Sequence, residues 1–424
     1  MAALRPHPER DPLSGEPARI ASPCDTELDP APLPEPAGPG AYVHVPFCRV
    51  RCPYCDFATR PYRPAEVPRL AAALAREARE RLAAAPVFGS LYLGGGTPSR
   101  LEPEAFVELV RGLEITLTFV PGHERSLEAN PEDLDPARLG AWRSAGFTRL
   151  SIGVQSLLDD ELRRLGRVHD ARAVPAGVAR ARGAGFEDLN LDLMYGYPGH
   201  TVERFGRSLE AAPALGPDHV SAYAFTPEAG TVLGDAVRAG RMPRRGEDDE
   251  ANLFERARDA LEAAGYRHYE VSNFARAGRF ARHHLNYWRR GDYLGLGPAA
   301  VSALGGRRAS APRDLPDWAA EVEAGRAVGP WPPGWQVDDA RPHALFETVF
   351  LGLRLDTGMR FADAGTEVLP DALHAWRSAG ERLEARGLLK ATAGGFRLPR
   401  ALRALADAVA QAWRAEAEHG RTSP

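Results

Sequence analysis

From residue 41 to about residue 225 the chain repeats one pattern of apolar and polar positions. A short apolar run is followed by a polar or glycine-rich turn and then by a stretch with apolar residues three or four positions apart. The first kind of run predicts a strand and the second an amphipathic helix. The predicted strands are 41–46, 90–94, 125–129, 149–154, 188–194 and 219–225, and the predicted helices between them are 65–85, 103–113, 136–145, 171–185 and 201–214.

Alternating strands and helices predict a parallel sheet with right-handed crossovers. The expected fold class is therefore α/β, and six units suit a partial (β/α)6 barrel better than a full barrel of eight. Beyond about residue 235 the alternation ends. Helical periodicity at 248–264, 369–386 and 400–416, with a short strand-like stretch at 391–398, predicts a smaller, mainly helical domain at the C-terminus.

The expected domains follow from these patterns and from proline content. Residues 1–40 contain ten prolines and little apolar material, which predicts a disordered extension. The barrel is expected at 41–270, a connecting region at 271–335 and the C-terminal domain at 336–424.

Composition narrows the class of protein. The 424 residues, 44% of them hydrophobic, suffice for two cores, and a net charge of −4 argues against a nucleic-acid partner. The sequence contains neither an uninterrupted apolar run long enough for a membrane span nor the apolar core of a secretory signal. Four cysteines, three of them clustered, indicate a reducing compartment, and we expect the cytoplasm.

The clustered cysteines, Cys48, Cys52 and Cys55, form a C-x3-C-x2-C run where the first predicted strand passes into a loop. Three thiolates on a [4Fe–4S] cluster leave one iron without a protein ligand, and such an open position can bind a substrate. Spacing alone equally fits a zinc site with a distant fourth ligand such as His44, or reduced surface thiols. Cys24 is a conceivable fourth ligand, although ordering the tail that carries it would cost entropy.

Polar and glycine residues follow several predicted strands, where ligands bind in parallel β/α folds. Gly94-Gly95-Gly96-Thr97-Pro98 follows the second strand, Glu128 ends the third and Gln155 ends the fourth. A glycine turn and two helix caps would account for each separately. A single bound ligand accounts for all of them.

The string Y-V-H-V-P-F-C-x3-C-x-Y-C-D-F, residues 42 to 57, resembles the cluster loop of radical S-adenosylmethionine (SAM) enzymes. More narrowly it resembles the oxygen-independent coproporphyrinogen III oxidase-like family, which includes a heme chaperone (HemW) branch. The resemblance implies a radical SAM core with a [4Fe–4S] cluster on the three cysteines. It also implies SAM contacts from Tyr42, Tyr54, Gly95, Gly96, Thr97, Glu128, Gln155, Arg167 and Asp192.

Two adjacent histidines, His283 and His284, lie in the string R-H-H-L-N-Y-W. Histidines beside aromatic residues form either a satisfied polar cluster or a set of axial ligands for heme. In the resemblance, His283 matches the heme-binding histidine of the chaperone branch. The sequence departs from the family pattern at His284, where Asn is usual, and at Val301, where many relatives have His, so that His284 is an alternative ligand.

Two functions of different class remain. The favoured one is a heme chaperone that transfers heme to acceptor proteins. The alternative is an enzyme of porphyrin biosynthesis, the oxidase that decarboxylates coproporphyrinogen III. Both would need a low-potential electron donor to cleave SAM. Oxidases of the family carry a further cysteine where this chain has Phe57, and an ordered N-terminal segment where this chain has a proline-rich one. The H-x-L-N-Y-W string belongs to the chaperone branch. All three features favour heme transfer. The sequence leaves open whether SAM is cleaved and whether the chain forms a homodimer.

Overall fold

The computed structural model describes residues 29–82, 86–366 and 368–419. The chain divides into two compact units. Of the described residues, Leu33–Pro342 form the larger unit, and those from His343 onward form the smaller unit together with residues 29–32. Residues 1–28, which include Cys24 and most of the expected extension, lie outside the described part.

The larger unit is built on one sheet. Among the described residues, twelve strands follow each other in the order β14, β13, β12, β11, β1, β4, β5, β6, β7, β8, β10 and β9, and β2 pairs with β3 separately. The strands are β1 Gly40–Val45, β2 Phe47–Cys48, β3 Arg60–Pro61, β4 Val87–Gly95, β5 Thr118–Ala129, β6 Arg149–Gln155, β7 Asp188–Tyr195, β8 His219–Ala224, β9 Arg267–Glu270, β10 Asn273–Ala275, β11 Tyr293–Leu296, β12 Val301–Leu304, β13 Arg307–Ser310 and β14 Gln336–Asp339.

Helices alternate with the parallel strands β1 and β4 to β8, as expected for βαβ units. The six predicted barrel strands and the predicted (β/α)6 alternation are confirmed. The helices are α1 Val67–Arg81, α2 Pro103–Glu114, α3 Pro136–Ser144, α4 Asp159–Arg164, α5 Ala173–Gly183, α6 Val202–Ala214, α7 Val232–Arg238, α8 Glu247–Ala263, α9 Arg282–Trp288 and α10 Leu315–Glu323.

Strand β1 shows why the barrel forms. Its alternate residues Val43 and Val45 are fully buried in the hydrophobic core with Leu70 and Leu74 of α1. Tyr42 and other intervening residues therefore face the opposite side of the sheet, because successive side chains of a strand alternate. The outer face of the sheet is thus apolar and covered by helices, while polar side chains collect on the inner face.

The expected connecting region, 271–335, contributes the strands β10 to β13 to the sheet. Strand β11 pairs parallel with β1, and β12, β13 and β14 continue the sheet in antiparallel fashion. On the other edge, β10 pairs antiparallel with β8. These strands have only three or four residues each, too few to show a clear alternation in the sequence.

Residues 33–40 are ordered, which corrects the expected disordered extension at its C-terminal end. Leu33 is buried, and the Arg289 guanidinium donates hydrogen bonds to the carbonyl oxygens of Leu33 and Pro34. The Gly89 N–H donates to the Pro39 carbonyl. These backbone contacts fix the segment although its side chains are poor in apolar area.

The smaller unit is helical with a three-stranded antiparallel sheet, and the expected C-terminal helical domain is confirmed. Its core surrounds Trp413, whose indole N–H donates to the Trp376 carbonyl at 2.8 Å. No helix in the described part of the chain has the length and apolarity that a membrane crossing requires. The elements are α11 Ala344–Gly352, β15 Met359–Arg360, α12 Pro370–Ala385, β16 Lys390–Ala391, β17 Gly395–Arg397 and α13 Ala406–His419.

Candidate functional site

Cys48 ends β2, beyond the carboxyl end of β1, and Cys52 and Cys55 lie on the loop between β2 and β3. The Tyr62 N–H donates to the Cys48 carbonyl at 2.9 Å and so joins the two ends of this loop. The Thr97 N–H donates to the Phe47 carbonyl at 2.7 Å and attaches the glycine loop to β2. Cys48, Cys52 and Cys55 are unpaired, partly exposed and line one cavity. The loop therefore presents three thiols to a common space.

Burial raises the pKa of the Cys48 thiol to about 11, although its contact with the Thr97 hydroxyl at 3.3 Å opposes the shift. Burial also raises the pKa of Cys55. Such thiols stay protonated at neutral pH unless a bound metal stabilises the thiolates. The donor set suits a metal group that bonds sulfur strongly.

The glycine loop packs directly against the end of β1. Gly95 has φ +105°, and a Cβ there would lie 2.5 Å from the His44 ring. A Cβ on Gly96 would lie 2.7 Å from the Pro46 backbone. Only glycine fits at these two positions, because the backbone must approach the cysteine loop closely. This packing places Gly95, Gly96 and Thr97 in the wall of the same cavity.

Two partly buried carboxyl groups lie beside the glycine loop. Glu128 accepts hydrogen bonds from the Tyr92 hydroxyl at 2.9 Å and from the Gly95 N–H at 3.1 Å, and burial raises its pKa to about 7. Asp192 accepts from the Ser151 hydroxyl at 3.1 Å, and burial raises its pKa as well. Both carboxyl groups reach the cavity, where a cationic ligand would stabilise their charged forms.

Arg167 is one of three arginines that line the cavity, together with Arg49 and Arg51. Its guanidinium lies 3.6 Å from the Cys52 sulfur and donates to the Gly153 carbonyl at 2.7 Å. Its Nε is buried and has no partner among the described residues. The arginine lines the cavity, where its charge would stabilise an anionic group such as a carboxylate.

Gln155 ends β6 with φ +66°, a strained backbone conformation for a residue other than glycine. The Tyr223 hydroxyl donates to its side-chain oxygen at 2.6 Å. The turn directs Gln155 into the cavity wall instead of along the strand. Strain of this kind is frequent at functional sites.

Eight of the nine residues expected at the SAM site line this one cavity, and Tyr42 does not. The Tyr42 ring stacks against Tyr92 at 6.2 Å, and its hydroxyl is 3.1 Å from the His44 Nδ1. Sequence reasoning missed further residues of the cavity wall. Asn130 and Glu132 come directly after β5 and could have been found by the argument used for Glu128. Residues within strands, such as Ser151 and Gly153, give no such indication.

Among the described residues, the zinc alternative lacks the fourth ligand suggested for it. His44, the candidate, uses both ring nitrogens, one toward the Tyr42 hydroxyl and the other toward the Ala58 carbonyl at 2.9 Å. Within the described ranges, no three histidine, cysteine or carboxylate side chains meet closely enough to hold a single metal ion. The cysteines are better suited to a cluster, in which each thiolate binds a separate iron.

The two histidines of α9 differ in their surroundings. His283 is fully buried, with its Nδ1 2.7 Å from the Ser90 hydroxyl and its Nε2 2.7 Å from the Tyr287 hydroxyl. In this conformation both nitrogens are engaged, so His283, the first candidate for a heme ligand, could bind a metal only after one of these hydrogen bonds is broken. A hydroxyl on either side satisfies the buried imidazole, as the polar-cluster alternative requires.

His284 has the properties that a ligand needs. Its ring is partly exposed and has aromatic neighbours, Tyr92 and Tyr287, but no hydrogen-bond partner in the described part of the chain. Burial, with a smaller effect of Arg149, lowers its pKa to about 4. The imidazole is therefore neutral at physiological pH, which is the form that binds metals.

The comparisons with known proteins agree with this geometry. The sequence model of the Radical SAM superfamily matches residues 42–212. "Heme chaperone HemW" of Mycobacterium tuberculosis (strain CDC 1551 / Oshkosh) is 38% identical over 389 residues, which cover 90% of this chain and 96% of that protein. The chain belongs to the HemW family of radical SAM proteins. The HemW heme chaperone of Bacillus subtilis (strain 168) is 37% identical over 273 residues, 63% of this chain and 72% of its own length.

A solved structure shows the same fold. The coproporphyrinogen III oxidase HemN from Escherichia coli, described as a radical SAM enzyme, has a TM-score of 0.75 at 24% identity and covers 89% of this chain and 90% of its own. At that identity the likeness establishes the fold alone. Membership of the radical SAM superfamily implies a [4Fe–4S] cluster and SAM, and the cavity offers thiols, carboxyl groups and an arginine that fit both.

Proposed function

We propose that this protein is a heme chaperone: it binds heme, carries a [4Fe–4S] cluster with SAM, and transfers heme to acceptor proteins. The relation to the Mycobacterium tuberculosis heme chaperone over nine-tenths of the chain carries the proposal. Phe57 supports it, because this exposed side chain lines the cavity where the oxidases of the family have a further cysteine. The cluster would work in a reducing compartment, which agrees with a cytoplasmic protein.

The cavity residues divide into two groups under this proposal. Cys48, Cys52 and Cys55 would hold the cluster. The buried guanidinium of Arg167 would bind the carboxylate of SAM, and the Glu128 carboxylate would bind its ammonium group. Bound together, these cofactors supply one-electron radical chemistry with a low-potential donor. The protein's own contribution is to position the ligand and to keep Glu128 and Asp192 desolvated.

For the cargo we propose His284 as the axial ligand of heme, in preference to His283. The reason is that His284 offers a neutral imidazole without hydrogen bonds, whereas His283 is engaged at both nitrogens. Heme would still need room beside α9, so we expect side chains around the histidine to rearrange on binding.

The test of the proposed function uses the cluster-loaded protein in two anaerobic assays. We expect transfer of bound heme to a heme-free acceptor protein, followed by visible absorbance, and no divinyl porphyrin from coproporphyrinogen III with SAM and a low-potential reductant. Repeated turnover to the divinyl product would establish the oxidase instead.

The ligand assignment has its own control. His284→Ala should weaken heme binding about tenfold or more, the usual cost of losing one metal-bound side chain. His374 is an exposed histidine of the smaller unit. His374→Ala should leave heme binding unchanged, and it tests whether heme binds to histidines unspecifically. Equal losses in both variants would contradict the assignment.

A further inference from the structure

One residue, Tyr92, touches both groups of functional residues. Its hydroxyl donates to Glu128, which lines the SAM cavity. Its ring stacks on His283, with centroids 5.0 Å apart and planes at 21°, and contacts His284 at 5.3 Å. The side chain is 8% exposed and belongs to a central strand, so that its position is fixed by packing.

The strand itself connects the two groups. Ser90, Tyr92 and Gly94 are alternate residues of β4 and so point to one face. Ser90 bonds to His283, and a Cβ on Gly94 would lie 2.9 Å from the Glu128 carboxyl group and 2.9 Å from the Tyr92 ring. On this face, Ser90 contacts the histidine pair and Gly94 approaches the carboxyl group of the cavity. Tyr92, between them, contacts both.

We propose that Tyr92 is a positioning residue that couples occupancy of the SAM cavity to the histidine pair. A cation in the cavity draws the Glu128 carboxylate toward itself and away from the Tyr92 hydroxyl. The ring then loses the hydrogen bond that orients it, and its stack on the histidines loosens. His284 becomes more accessible, and SAM therefore favours heme binding; by linkage, heme favours SAM to the same extent.

This inference rests on the proposed function, because it places SAM beside Glu128 and heme at His284. It adds that the two ligands do not bind independently. Glu128 and Tyr92 suffice as the connection between the two ligand sites. The Tyr92 side chain contacts the Glu128 carboxyl group with its hydroxyl and both imidazole rings with its own ring.

The test measures His284 without heme. Cluster-loaded protein is treated anaerobically with diethyl pyrocarbonate, which modifies neutral, accessible imidazole, and the modification rate of His284 is followed by peptide mass spectrometry with and without saturating SAM. The exposed His374 serves as internal reference. We expect SAM to increase the His284 rate about fivefold, a typical coupling between two sites.

Two conservative variants separate coupling from structure. Tyr92→Phe keeps the ring but removes the hydroxyl, and SAM should no longer change the His284 rate. Tyr42→Phe is the control: it removes a hydroxyl from another ring stacked on Tyr92, one that bonds to His44 and not to Glu128. Tyr42 does not line the cavity, so this variant should respond like the unmodified protein. SAM saturation is verified for each variant by equilibrium dialysis.

The outcomes distinguish this inference from the proposed function. An equal SAM response in Tyr92→Phe, or none in the unmodified protein, overturns the coupling even if heme is bound and transferred. A SAM response that disappears only in Tyr92→Phe supports the coupling even if the protein binds no heme, in which case the chaperone assignment alone fails.

Discussion

Glu128 is the side chain whose charge depends most directly on the ligand that we propose for the cavity. Burial raises its pKa to about 7, so the group becomes a carboxylate as the pH rises through that value. We predict that SAM affinity of the cluster-loaded protein increases from about pH 6 to about pH 8, because only the carboxylate attracts the ammonium group. Glu128→Gln should bind about tenfold more weakly at the upper pH and lose the dependence, measured by equilibrium dialysis.

Glu132 provides a matched control in the same cavity wall. Burial acts to raise its pKa, but its contacts with His169 and Arg167 outweigh this and lower the pKa below the usual value. Glu132 is therefore charged from about pH 6 to about pH 8, and Glu132→Gln should preserve the increase of SAM affinity with pH. A slope that survives in Glu128→Gln would show that another group titrates.

At the scale of residues, the sequence predicted positions after strands well and positions within strands poorly. Thr97, Glu128 and Gln155 meet because topology brings the carboxyl ends of parallel strands together. Tyr42 lies within β1, and its orientation depends on stacking against a residue fifty positions away. The different hydrogen bonding of His283 and His284 likewise depends on Ser90, a contact that no local pattern reveals.

Helix α9 depends on a carboxylate from a neighbouring strand. Glu124 of β5 accepts hydrogen bonds from the N–H groups of Arg282 at 2.8 Å and His283 at 3.4 Å, and so caps the first turn. We predict that Glu124→Ala destabilises the protein by about 1 kcal/mol and increases amide hydrogen exchange in α9. Glu114→Ala, which breaks a partly exposed ion pair with Arg125 of the same strand, should leave α9 exchange unchanged. Equal exchange in the two variants would contradict the capping role.

Helix α1 is attached to β11 and β12 by a buried ion pair. Arg81 is 3.2 Å from Glu77 and donates to the Gly295 carbonyl and the Ser302 hydroxyl. We predict that Arg81→Met lowers the free energy of unfolding in urea by about 3 to 5 kcal/mol, because Glu77 then remains buried without its partner. Arg79→Met, on the exposed face of the same helix, should change it by less than about 0.5 kcal/mol. A small loss in both would show that Glu77 is readily neutralised.

The elements were predictable to different degrees for a physical reason. Helices such as α2 and α6 bury one face and therefore show a clear period in the sequence. Strands β9 to β14 are short and owe their conformation to pairing with the edges of an existing sheet. Their pairing is a tertiary effect, so the sequence suggested only a connection where the sheet in fact continues.

Within the larger unit, the functional residues occupy two levels of the barrel strands. The cysteine loop and its cavity follow the carboxyl ends of the strands, whereas the histidines contact Ser90 and Tyr92 earlier along β4. Topology makes the first level predictable from sequence, since every strand of a parallel sheet ends there. The second level was not predictable in this way, because it depends on where α9 packs. This helix follows the six barrel strands in the chain, but it contacts β5 and leads into β11, which pairs with β1.

This separation predicts that cluster and heme can be lost independently. Replacing Cys48, Cys52 and Cys55 together by Ala should abolish the cluster absorbance, because no thiolate remains to bind iron, while heme affinity in the absence of SAM changes by less than about twofold. His284→Ala should weaken heme binding and leave the cluster absorbance unchanged. Both are measured by anaerobic visible spectroscopy during heme titration. If the cysteine variant lost heme binding together with the cluster, heme would have to lie at the cavity mouth near the cysteine loop, and the assignment of His284 would be wrong.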